Sequence, residues 1–143
     1  MQRKLFSKNA FLLAFLAVFL LMSTGCDKAK SSSAVNDLID HEVTATVTAI
    51  NERDVKLARN IWSDLSELSV SLQKQDEDDL SADVAALALS YEDLIAYCGS
   101  GNERDLSSFK ASFQTAAENL APSLSEAGYD CSSLSESLAS VYQ

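Results

Sequence analysis

The side chains with the most chemical reach in this sequence are three cysteines, Cys26, Cys98 and Cys131, and a single histidine, His41. A thiol beside an imidazole would make a nucleophile pair, but His41 is remote in sequence from Cys98 and Cys131 and reads as a surface residue. Gly99-Ser100-Gly101 lacks the strand–turn–helix frame of a nucleophile elbow and reads as a loop. Asp76-Glu77-Asp78-Asp79 has neither the glycine turn nor the distant bidentate Glu of a calcium loop. Those acids are better placed to favour the positive N-terminal end of the helix that follows. Two cysteines and one histidine far apart do not suit zinc, and no CxxCH is present for haem. Carboxylates are too numerous to single out an acid/base pair of the glycosidase kind. The sequence therefore predicts no catalytic residue, no metal and no cofactor, and a non-enzymatic role.

Cys26 has a different reading. Arg3, Lys4 and Lys8 form a basic start with no acid before Asp27, and Ala10 to Met22 supplies thirteen apolar residues. As a helix that stretch would rise ~20 Å, short of the ~30 Å of hydrocarbon a spanning helix crosses. It suits a cleaved secretory signal instead. The run Leu21-Met22-Ser23-Thr24-Gly25-Cys26 resembles the lipobox of bacterial lipoproteins, with Ser23 where that motif usually carries Leu. The resemblance covers residues 1–27 only. It implies removal of residues 1–25, two or three acyl chains including palmitate on Cys26, and a membrane anchor facing the periplasm. Ordinary signal cleavage without lipid is the alternative. Asp27, directly after the cysteine, tilts the expectation towards the inner membrane rather than the outer.

In an oxidising periplasm the two remaining cysteines, Cys98 and Cys131, are expected to form a disulfide. Closing a loop of about 33 residues would stabilise by roughly 3–4 kcal/mol. Two buried free thiols are the alternative, because a simple up-and-down bundle puts these positions at opposite ends. A bond would need the segment around Pro122 and Gly128 to turn back.

The elements that carry these residues read as helices. Apolar residues recur at spacings of three and four along Val55, Ala58, Ile61 (with Trp62), Leu65, Leu68 and Leu72. Leu80, Val84, Leu87, Tyr91, Leu94 and Cys98 make a second seam, Leu106, Phe109, Phe113 and Leu120 a third. Cys131, Leu134, Leu138 and Val141 make a short fourth. Val35 to Ile50 suggests an earlier helix, although its β-branched run (Val43, Thr44, Thr46, Val47, Thr48) weakens the signal. The predicted fold is all-α: a small antiparallel four-helix bundle of two hairpins with an extra N-terminal helical segment. Residues 26–33 read as the lipidated cysteine and a flexible tether, and 34–143 as one domain.

Asn51-Glu52-Arg53-Asp54 recurs as Asn102-Glu103-Arg104-Asp105, which admits an internal repeat, each copy opening a helix with Asn as its cap. Convergence of helix starts on such residues is the alternative. Trp62, Tyr91, Tyr97, Phe109 and Phe113 fall on seams and read as core. Tyr129 and Tyr142 are less committed and are candidate partner contacts.

The formal charge is −10, and losing the three positive charges of residues 1–25 takes it to −13. Such a surface repels nucleic acid and favours basic partners. The expected function is a lipid-anchored periplasmic adaptor that escorts or anchors an envelope protein. The alternative is an immunity or inhibitor protein that neutralises a basic envelope-acting toxin or hydrolase.

Overall fold

The computed structural model describes residues 28–143 apart from Asp130. Residues 1–27, on which the expected signal and the Cys26 lipid anchor fall, lie outside the described residues. Five helices follow one another: α1 (Lys28–Glu52), α2 (Val55–Gln73), α3 (Asp78–Ser100), α4 (Glu103–Glu126) and α5 (Ser132–Tyr142). No strand occurs among the described residues. An all-helical bundle is thus what the seams build. Its most extensive packing joins α3 to α2 on one side and to α4 on the other, while α1 lies against α2 and α5.

Two expectations about the N-terminal part change. The first helix is no appendage, because Val35, Ile39, Val43 and Ala49 are all buried and close the bundle between α2 and α5. Its β-branched run is carried by this packing, which outweighs a few tenths of a kcal/mol of helix propensity. The backbone of residues 28–33, expected as a tether, forms the first turns of α1 instead. Ala, Lys and Ser cost a helix little, so the chain has no local reason to leave it.

Side chains explain the closeness of α2 and α3. The Ser69 hydroxyl donates to the Ser81 carbonyl at 2.8 Å and the Ser81 hydroxyl returns a bond to the Ser69 carbonyl at 2.7 Å. Each hydroxyl has one proton and spends it on the opposite backbone, so two small buried side chains lock the register of the pair. Across α3 and α4 the rings of Tyr91, Phe109 and Phe113 form a cluster with centroids 5.3–6.1 Å apart. Tyr142 of α5 joins it at 6.3 Å from Phe113.

The two copies of the Asn-Glu-Arg-Asp tetrapeptide are not equivalent. In the second, Asn102 caps α4 and accepts from the Arg104 N–H at 3.0 Å. In the first, Asn51 and Glu52 finish α1, and Asp54 caps α2 by accepting from the Leu57 N–H at 3.0 Å. The expected Asn cap is therefore wrong for the first copy. Between them Arg53 takes a left-handed φ of 52°, and the Asp54 N–H reaches back to the Ala49 carbonyl at 3.1 Å. That is a Schellman ending with Arg where Gly is usual.

The guanidinium of Arg53 reaches over the α3–α4 turn and stands 5.9 Å from the centre of the Tyr97 ring. There it meets Gly101, which ends α3 with φ 73°. A Cβ at Gly101 would fall 2.6–2.8 Å from the guanidinium atoms. Gly101→Ala should therefore cost about 1–2 kcal/mol for the left-handed backbone, plus displacement of Arg53. Urea unfolding checks this. Removing the arginine as well (Arg53→Ala) should relieve the steric part and leave the backbone part.

Candidate functional site

Two places in the bundle break the rules of ordinary packing. The first is a carboxyl pair between α1 and α2. Glu42 sits on the inward face of α1, one turn from Ile39 and from Thr46, and is only 3% exposed. Its Oε1 is buried with no hydrogen-bond partner. Asp64 of α2 lies as far after the Arg53 turn as Glu42 lies before it, so the antiparallel run brings the two level. Burial, then the charge of Asp64, pushes the Glu42 carboxyl up to about 8. Burial, then Glu67, pushes Asp64 up to about 7. Two acids that resist ionisation side by side are a place where a proton is held near neutral pH.

A hydrogen-bonded chain fixes this stretch of α1 to α3. Thr46 Oγ1 donates to the Glu42 carbonyl at 2.7 Å and lies 2.6 Å from the Tyr91 hydroxyl. The threonine has one proton and gives it to the carbonyl, so Tyr91 donates to Thr46. Burial first, and Glu42 last, raise Tyr91 well above the ordinary phenol range, against the opposing effect of the Thr46 bond. The tyrosine thus stays a donor at any physiological pH. Nothing in this group supplies a nucleophile or an open space for substrate. Its chemistry is proton binding.

The second place is on the outside of the α2–α3 hairpin. Trp62, read from sequence as core, is 39% exposed. It stands one residue beyond Ile61, about 100° round the helix, and so faces away from the centre. With Arg59, Ser63, Glu92 and Ile95 it lines an open depression of about 360 Å³. Val70 and Leu89 are also exposed apolar residues of these two helices, at 50% and 60%.

The residues singled out in sequence are scattered. Cys98 and Cys131 are free thiols, so the expected disulfide is not formed. The Cys98 Sγ donates to the Ala49 carbonyl at the end of α1, and the Cys131 Sγ to the Ala121 carbonyl near the far end of α4. Nearly the whole length of α4, roughly 27 Å at 1.5 Å per residue, separates those ends. A disulfide needs Cα atoms about 4.4–6.8 Å apart. The turn after Pro122 does not fold back far enough to change this. Pro122 is accommodated inside α4. Burial, with Asp54, also raises the Cys98 thiol. Alkylation without reductant should label Cys131 in the folded protein and Cys98 only on unfolding, as read by peptide mass spectrometry; a bridged peptide would contradict the placement.

Tyr129 and Tyr142 do not project as partner contacts either. Tyr129 is 9% exposed, and Tyr142 is half-buried with its ring on Phe113. Tyr129, in the turn after α4, and Tyr142, at the end of α5, are both used by the core. His41 is exposed on α1. Asp78 and Asp79 occupy the first turn of α3, where acids oppose the helix dipole's positive end. Among the described residues no three His, Cys, Asp or Glu side chains come together as a metal site. No protein family, no curated protein and no solved structure matches this chain.

Proposed function

We propose that the chain is a lipid-anchored, periplasm-facing helical binding protein that holds or escorts an envelope protein through the outer face of its α2–α3 hairpin. The anchor is Cys26, on the resemblance of residues 21–26 to a lipobox. The observation that carries the binding role is the exposed Trp62 over its depression. Large aromatic side chains on rigid elements are where binding energy concentrates. An apolar floor with Arg59 and Glu92 beside it suits an amphipathic helix from the partner. The role involves no catalytic step.

The formal charge of −13 without residues 1–25 favours a second reading, an immunity or inhibitor protein for a basic envelope-acting toxin or hydrolase. Pull-downs from gently solubilised envelopes at low and high salt, with the wild type and Trp62→Ala, separate the two. The binding-face reading expects a partner retained at high salt and lost with Trp62→Ala. A basic protein lost at high salt and indifferent to Trp62 would replace it with the inhibitor reading.

A further inference from the structure

The orphaned oxygen of Glu42 has no evident structural use. A carboxyl at the centre of a helix interface weakens that interface whenever it is charged, and a leucine there would pack without cost. The same stretch of α1 holds Thr46 where an apolar residue would serve, and α1 is fixed to α3 by the Tyr91–Thr46–Glu42 carbonyl chain. Among the described residues no other carboxyl is buried; the polar groups buried in α2 and α3 are hydroxyls, those of Ser69, Ser71, Ser81, Ser90 and Tyr91. Among the described residues α1 alone is therefore packed over a buried acid.

We propose that Glu42 and Asp64 form a proton-binding site that latches α1. With both carboxyls protonated, α1 is seated against α2 and α5. When those protons are lost, the Glu42 charge is walled off from water and repelled by Asp64, and the middle of α1 loosens. The groups around the site are Asp64 and Glu67 from α2 and the Tyr91 hydroxyl from α3. From α5 the nearby contact is Ser137, which donates to Asp40 one half-turn before Glu42. Asp64 and Glu67 are themselves acids, so they add to the repulsion, and Tyr91 remains protonated throughout. The inference concerns how the fold is held and stands without the binding role proposed above.

Hydrogen exchange of the full-length chain in mild detergent, at pH 6 and pH 9 and corrected for the intrinsic rate, tests it. Amides of residues 35–50 should lose protection by at least about tenfold at pH 9, the equivalent of ~1.4 kcal/mol, while those of α3 and α4 hold. In Glu42→Gln the two protections should agree. Asp64→Asn should instead keep more of the protection at pH 9, since Glu42 then ionises without a charged neighbour. Equal protection of α1 in the wild type at both pH values would overturn the latch. So would a Glu42→Gln protein that loosens like the wild type, or an Asp64→Asn protein that loses as much protection at pH 9 as the wild type.

Discussion

Phe113→Ala is expected to cost about 3–5 kcal/mol, the usual range for emptying a buried phenylalanine site. Small domains have only about 5–15 kcal/mol in total, so the variant should approach the limit of folding. The size of the effect follows from position. Phe113 is fully buried, and its ring meets Tyr91 of α3, Phe109 of its own helix and Tyr142 of α5. Removing it cuts into three helices at once, and α5 is too short to close the gap. Thermal unfolding followed by circular dichroism should show a fall on the order of 15 °C. A loss under ~1.5 kcal/mol would mean that the ring cluster is not the centre of the core.

Stability should fall as pH rises from about 5 to 9. Glu42 and Asp64 sit at about 8 and about 7 in the folded chain, against ordinary values of 4.5 and 3.8. Folding therefore takes up protons in this window, and the unfolded chain gains relative to it at every step towards alkali. The contribution is complete below the ordinary values and is lost as pH passes through the raised ones. With partly exposed Asp64 discounted for solvent screening, a loss of roughly 4 kcal/mol, chiefly from Glu42, is expected across the window at ~1.4 kcal/mol per pH unit. Denaturant titrations at pH 5, 7 and 9 measure it. Glu42→Gln should remove most of the slope, and Glu42→Leu should be more stable than wild type at pH 9. A flat wild-type profile would place Glu42 in a wetter site than its burial implies.

How far these features can be read from the chain differs by residue. The helices α2, α3 and α4 follow from Leu65, Leu68 and Leu72, from Leu80, Val84 and Leu87, and from Phe109 and Phe113, because burial of one face demands that spacing. Glu42 escapes notice because a seam is sought among apolar residues, and an acid inside one looks like a gap. Its position between Ile39 and Thr46 was the available signal. Trp62 shows the opposite error, since an aromatic beside a seam residue is credited to the seam although one position turns it well away. The cysteines reveal their type but not their distance. Helix order already sets Cys98 and Cys131 at opposite ends, and only the structure shows that the segment around Pro122 does not bring them back together. Repetition misleads in the same manner: identical tetrapeptides cap differently because Arg53 supplies a left-handed turn in one and Gly101 supplies it before the other.

Trp62 is the chain's sole tryptophan, and its indole is partly in water while the protein is folded. Its fluorescence therefore reports the outer surface of one hairpin and says little about the interior. Melting the bundle should move the emission only slightly, whereas a guest seated over the ring should shift it to the blue. Occupancy and denaturation are thus optically separable in the unmodified protein, with no dye or second reporter needed.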